Sequence, residues 1–366
     1  MVARGGRRLP CSGGVRGWLV LGASGPVRVP RLVAGPGGLL VAVLATLLAA
    51  AGLSSCSGGS HHRPSPSVWS NPLVTGTGAR WVTGANGNFP SEIEPWAAWA
   101  GRPVDLAMIF TTRDDWDGVE APGWPLSAFT RAKWPGQISI AQPLWPDSGG
   151  NERDCAAGDY DQHWRQFGRN LLKYGRGDAI VRLGWEFNGD WYDWYPRDVN
   201  VWKRCFGRTV TALRATAPDV RIDWTMTMHR DKLPRGGDVW SAYPGDAYVD
   251  IIGIDYYDMF PPAPTQALWD RLCTTPSGLC TVIAQARAHG KKFSVPEWGV
   301  VSGDGGGGDN PFFIEKMYAM FQANADVLAY EAYYNNAEAD NVRSSLLNPT
   351  LNPKSARRYL RLFGAG

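Results

Sequence analysis

A single (β/α)₈ barrel of the α/β class, standing behind a signal peptide and a flexible linker, is the fold this sequence predicts. Three observations carry it. From about Arg80 onward, short β-branched or aromatic runs alternate with amphipathic stretches, the rhythm of repeated βα units on a parallel sheet. Eight such runs can be counted. The remaining length, once the first segment is set aside, suits one barrel of about 250 residues or more.

The first segment reads as an export signal over residues 1–56. Residues 1–31 hold six arginines and no acid, and an Ala/Leu-rich run follows over 39–53, too short for a stable membrane span. It closes in Leu53-Ser54-Ser55-Cys56, which resembles a bacterial lipobox with Cys56 as the lipidated residue; an ordinary secretory signal containing a cysteine is the alternative. The pair Arg7-Arg8 gives only a poor twin-arginine motif. Residues 57–74 form the linker, Ser/Gly/Pro-rich, and His61-His62 fall in it as solvated residues rather than metal ligands. The expected location is the outer face of the cell membrane, through a lipid anchor, or the surrounding medium.

The catalytic-domain candidate spans 75–366. Its strands are expected near 80–84, 104–110, 137–142, 179–186, 220–226, 249–255, 292–297 and 327–333. Two helices stand out. Asp161 is placed to cap one that turns Trp164, Phe167, Leu171 and Leu172 to one face. Asp198 precedes another with Trp202, Phe206, Val210 and Leu213 at helical spacing.

Composition narrows the partners. The chain has 37 basic and 34 acidic residues; six of the basic ones belong to the signal, leaving 31 against 34. No basic field for nucleic acid remains, and a neutral substrate is the natural partner of a monomer. Cys155, Cys205, Cys273 and Cys280 permit three pairings, of which Cys273–Cys280 as a loop staple and Cys155–Cys205 as a clamp between units are favoured. No Cys-x-x-Cys pattern suggests a metal or redox pair, and no cofactor is expected. Seventeen of eighteen tryptophans lie after the signal. Some must be core; others suit a groove where sugar rings stack on flat apolar faces.

In such a barrel, chemistry belongs at the carboxyl ends of the strands. Strand four ends in GWEFNGDWYDW, residues 184–194, and alternation places Arg182, Gly184 and Glu186 on one face. A buried rim ion pair would explain that arginine and glutamate; so would a catalytic acid with tuned ionisation, crowded by Trp185, Trp191, Tyr192 and Trp194. Strand seven, KKFSVPEWG (291–299), puts Phe293, Val295 and Glu297 on one face. Two carboxylates ending strands four and seven, if about 5–5.5 Å apart, suit a retaining glycosidase, one as nucleophile and the other as acid and then base. Between them VDIIGIDYYD (249–258) turns Gly253, Asp255 and Tyr257 inward, where the Tyr257 phenol can orient Glu297, or simply pack.

The pattern Arg-x-x-x-Glu-x-Asn-Gly-x-Trp-x-x-Trp on strand four, Gly-x-Asp-x-Tyr-Asp on strand six and Glu-x-Gly on strand seven resembles glycoside hydrolase family 26. The similarity covers roughly residues 75–340. That family is built on (β/α)₈ barrels with retaining chemistry, and its best-known members are endo-β-1,4-mannanases, with related β-glucanases and β-1,3-xylanases. The resemblance implies that Glu186 is the acid/base and Glu297 the nucleophile. It places Arg182, Asn188, Trp191 and Tyr257 among residues lining the sugar site, with Trp298 beside them. Two positions depart from it. The histidine usual before the acid/base is Trp185, and the sugar-bearing tryptophan of strand eight is replaced in YEAYYNN (330–336) by Tyr333.

Other residues invite interpretation. Trp145, in PLWPD after strand three, is a candidate groove residue or rim packing. His229, beyond strand five, is within reach of the site or structural. The glycine run 303–308 after strand seven reads as a plain loop or a flap. No Gly-x-Ser-x-Gly elbow, phosphate-cradling loop or His-Glu-x-x-His helix is present, which argues against esterase, kinase and metalloprotease chemistry. The expected activity is endo-hydrolysis of a β-mannan-like polysaccharide. Its competitors are another glucan, xylan or envelope glycan as substrate, and a sugar-binding barrel without turnover.

Overall fold

The computed structural model describes residues 80–234 and 237–365. The export signal, Cys56 and the linker lie outside the described residues.

Eight parallel strands close into one barrel in sequence order: β1 Val82–Asn86, β2 Leu106–Phe110, β3 Gln137–Gln142, β4 Ile180–Leu183, β5 Arg221–Thr227, β6 Ile251–Tyr257, β7 Lys292–Gly299 and β8 Leu328–Tyr333. Every expected strand is present, within about two residues except at the end of β4. Helices follow the strands and cover them, and the largest apolar cluster fills the space between the two layers. Among the described residues no helix is long and apolar enough to cross a membrane.

The helix Val199–Arg214 forms as its sequence directs. Asp198 accepts hydrogen bonds from the N–H groups of Asn200 and Val201 at 3.1 and 3.2 Å, satisfying donors that the helix start leaves free. Trp202, Phe206, Val210 and Leu213 are all buried, each stabilising the fold by roughly 1.5–3 kcal/mol. The helix Asp161–Lys173 departs from expectation. Its N-cap is Tyr160, and Asp161 lies in the first turn, where it instead pairs with Arg208 of the neighbouring helix at 3.0 and 3.1 Å. Trp164, Phe167 and Leu171 are buried, whereas Leu172, one position off the stripe, is half exposed. Both favoured disulfides are present, Cys155–Cys205 and Cys273–Cys280.

The barrel interior changes character along its axis. Val82, Leu106, Met108, Ile180 and Ile251 belong to an apolar inner cluster. A polar layer also lies inside: Asp223 accepts from Ser294 Oγ at 2.6 Å, Tyr330 Oη at 2.7 Å and Thr225 Oγ1 at 2.9 Å. Gly253 completes that layer by absence, since a Cβ there would lie 2.4 Å from Asp223 Oδ1. Burial pushes the Asp223 carboxyl up, and the three donors oppose the shift.

Candidate active site

Glu297 reaches the site through a bulge. Ser294 faces the interior polar layer, so simple alternation would turn Pro296 inward and Glu297 outward, contrary to the expected face of Phe293, Val295 and Glu297. Between Val295 and Trp298, however, the pairing with β8 advances only from Glu331 to Tyr333, so β7 carries one extra residue. The extra residue inverts the parity of the strand and swings Glu297 to the inner side. There Arg182 Nη1 donates to Glu297 Oε1 at 2.7 Å and Tyr257 Oη donates to Oε2 at 2.8 Å. Tyr257 sits on the expected inward face of β6, and its phenol is held well above the ordinary range, first by burial and then by the Glu297 charge.

Arg182 is fully buried and divides its guanidinium between Glu297 and Asp255. Burial alone would lower its pKa; Asp255 and then Glu297 more than reverse that and raise it. Asp255 is pushed well above the carboxylate range by burial, with Arg182 opposing and the charges of Glu297 and Glu186 adding to the rise.

Glu186 arrives differently from the expected extended strand. β4 stops at Leu183, and Gly184 and Glu186 both adopt left-handed backbone, with φ of 57° and 49°. For a glutamate this is a strained conformation, of the kind concentrated at functional sites. It is fixed by the Glu186 N–H donating to Thr225 O at 2.9 Å and by Gly189 N–H donating to Glu186 O at 2.8 Å. Burial, and next the Glu297 charge, push the Glu186 pKa up to about 7. The polar side chains of Thr227 and Trp191 beside it act to lower its pKa.

Both glutamates line one cavity of about 890 Å³ at the carboxyl ends of the strands. Trp191 lines it with half its surface exposed, and the Arg230 guanidinium lies 5.1 Å from its ring centroid. Trp185 reaches the wall but is packed in an aromatic cluster. Its ring centroid is 4.6 Å from Trp194 and 5.1 Å from Tyr192, and its N–H donates to Tyr192 Oη at 3.1 Å. The single donor at this position is therefore spent inside the protein. His229 also lines the cavity, and burial lowers its pKa to about 4, so it is neutral at physiological pH.

Four residues expected at the sugar site do not line the cavity, and for Trp145 the packing alternative holds. Asn188 is buried and serves the backbone: it donates to Thr227 O and Arg230 O at 2.8 and 2.9 Å and accepts from Thr227 N–H at 2.8 Å. Trp298 is wholly buried on the outer side of β7, its indole donating to Glu331 Oε2 at 2.7 Å. Tyr333 is equally buried, stacked on Trp96 and donating to Ser344 O at 2.7 Å. Its neighbour Tyr334, past the end of β8, takes the place on the cavity wall. Trp145 is core. Thr227, Arg230, Phe260 and Tyr334 are among the cavity residues that strand reading passes over. Their one signal is position, within three residues of a strand end. Among the described residues no group of three or more His, Cys, Asp or Glu is arranged to hold a metal ion.

The chain is similar to known proteins in sequence and in fold. The model of glycosyl hydrolase family 26 matches residues 168–297, the stretch that begins before β4 and ends on Glu297. A curated relative, Endoglucanase H of Acetivibrio thermocellus, is 25% identical over 235 residues, which cover 62% of this chain. The match spans only 25% of that protein's own length. Among solved structures, a modular endo-β-1,4-mannanase from Cellulomonas fimi is similar with a TM-score of 0.55 at 16% identity, over 77% of this chain and 70% of that one. The catalytic domain of a family 26 endo-β-1,4-mannanase from Bacillus sp. JAMB-750 is similar with a TM-score of 0.56 at 16% identity, over 78% and 87%. At such identities the structural likeness speaks for the barrel alone.

Proposed function

From the premise that this chain is similar to glycosyl hydrolase family 26 over the segment holding both glutamates, we propose that it is an exported, retaining endo-β-glycosidase acting on a β-mannan-like polysaccharide. The observation that carries the reading is the division of labour between two carboxyls in one cavity. Glu297 has its negative charge matched by Arg182 and its orientation set by Tyr257, as a nucleophile requires. Glu186 has its pKa raised to about 7 and so holds a proton through the weakly acidic range, as a general acid requires.

In the first step Glu297 bonds to the anomeric carbon while that carbon's bond to the glycosidic oxygen breaks and the oxygen takes the Glu186 proton. In the second, a water gives its proton to the Glu186 carboxylate and attacks the same carbon, releasing Glu297. Two inversions leave the anomeric configuration retained. Trp191, which lines the cavity with Glu186, belongs to the leaving-group side. Cys56 would carry the lipid that keeps the barrel at the outer membrane face.

A β-glucan is the second reading, favoured by the name of the curated relative, an endoglucanase. The test is direct. Residues 57–366 are offered β-mannan, β-glucan and xylan, new reducing ends are counted, and proton NMR follows the first-formed anomer. Reducing ends from mannan with a retained anomer are expected. An inverted anomer overturns the mechanism, cleavage of glucan alone moves the substrate, and no cleavage of any polymer overturns the activity.

A further inference from the structure

Past β6 the chain turns through Asp258, Met259 and Phe260, and the glycine run that follows β7 packs against this turn. Phe260 N–H donates to Gly305 O at 3.1 Å, Met259 and Gly306 form an antiparallel bridge, and Gly307 N–H donates to Asp258 O at 2.9 Å. Three successive glycines each face a neighbour that leaves no room for a side chain. A Cβ on Gly305 would lie 2.0 Å from the Phe260 ring, one on Gly306 2.2 Å from Val301 O, and one on Gly307 2.2 Å from Asp258 Oδ2. The run is thus a fitted bed for the turn and not a loose flap.

What rests on that bed is unusual. Phe260 has a φ of 50°, in the left-handed region that a bulky residue avoids, yet 60% of its surface is left in solvent. It gains little burial in return for the strain. Its ring stands on the wall of the cavity that holds Glu186 and Glu297. Of the large apolar side chains exposed among the described residues, only Trp191 and Phe260 line this cavity. They stand on loops after different strands, Trp191 five residues beyond Glu186 on the wall of the same cavity and Phe260 three residues beyond the Tyr257 that holds Glu297. Strain retained at a ligand wall, with a flat apolar face presented to water, is what a stacking platform needs.

We propose that Phe260 is the platform of a sugar subsite, taking the C–H face of a pyranose unit removed from the scissile bond, with Gly305 as the cradle that aims its ring. This rests on the glycosidase reading and extends it to a substrate contact on the β6–β7 side of the cleft.

The experiment separates the two. In Glu297→Gln protein, which removes the nucleophile and leaves the cavity walls in place, binding of β-1,4-mannohexaose and of cellohexaose is followed by titration calorimetry. Phe260→Ala should weaken binding of at least one about tenfold, Phe260→Leu nearly as much because it is apolar but not flat, and Phe260→Tyr less than twofold. Gly305→Ala should reproduce the loss by displacing the ring, and adding Phe260→Ala to it should cost little more. Far-ultraviolet circular dichroism and melting confirm that each variant is folded. In the active enzyme the Phe260→Ala penalty should fall on KM more than on kcat and grow with oligosaccharide length. No binding of either hexasaccharide by the Glu297→Gln parent, equal binding by Phe260→Ala, or full retention by Phe260→Leu overturns the platform. Failure of the wild type to hydrolyse any polymer overturns the activity and leaves this binding result to stand by itself.

Discussion

Arg182 places Nη1 2.7 Å from Oε1 of Glu297 and turns its other terminal nitrogen to Asp255, so one buried cation serves two buried carboxyl groups. Taking charges out of water is costly; the cation offsets that cost, while burial and the neighbouring carboxylates push Asp255 towards its neutral form. Arg182→Met leaves both carboxyls without that cation. It should destabilise the barrel by about 3–5 kcal/mol and abolish turnover. Denaturant titration reads the first and reducing-end assay the second; an unchanged midpoint contradicts the account.

The phenol on the other oxygen of Glu297 gives a finer test. Tyr257→Phe keeps the ring and removes one hydrogen bond to a charged acceptor, of the kind worth about 1.5–3 kcal/mol. If that bond is made in the transition state, kcat/KM should fall roughly 10- to 100-fold with little loss of melting temperature. A variant that melts much earlier would make Tyr257 a packing residue.

These two contacts also show what strand reading could and could not reach. Arg182, Asp255 and Tyr257 were legible because β4 and β6 alternate cleanly up to them, and eight apolar runs sufficed to count the barrel. Glu297 was found for a reason that does not hold, since the bulge in β7 and not alternation turns it inward. Glu186 lies beyond the end of its strand, on left-handed backbone that no period reveals. The aromatics divide on burial. Trp145, Trp298 and Tyr333 look like groove residues in composition but are core, while Phe260 and Tyr334 depend on loops whose paths are set by distant contacts such as Gly305.

The rate should depend on pH through Glu186. In the proposed mechanism its carboxyl, raised to about 7, must be protonated to assist departure of a sugar oxygen, so kcat/KM on polymer should fall as pH rises through about 7. An aryl glycoside whose leaving group departs without a proton should lose that alkaline limb in the first step. The same limb on both substrates would assign the titration elsewhere.

Glu331, on the outer face of β8, affects stability instead. Burial raises its pKa to about 7, against the hydrogen bond from Trp298 and the charge of Arg102. Because the folded value lies above the unfolded one, its contribution is complete below about 4.5, declines as pH rises and is gone once pH passes about 7. The full contribution is on the order of 3 kcal/mol. Glu331→Gln should therefore flatten the fall in melting temperature between pH 4.5 and pH 7. An identical slope in the variant excludes this carboxyl as the source.

The Cys155–Cys205 bridge, whose ends are separated by 50 positions in sequence, constrains the unfolded chain. Its loss in the double Cys→Ser variant should cost roughly 4 kcal/mol, read by melting under non-reducing conditions.

That bridge makes a covalent ring out of residues 155–205, and the ring contains β4, Arg182, Glu186 and Trp191. Glu297, Tyr257 and Asp255 all lie outside it. A single protease nick within the ring yields one molecule with two tethered ends, not two fragments, and Glu186 remains attached to the scaffold that bears Glu297. When a single cut falls between Glu186 and Cys205, the bridge must also be reduced before Glu186 parts from the stretch of chain that carries Glu297.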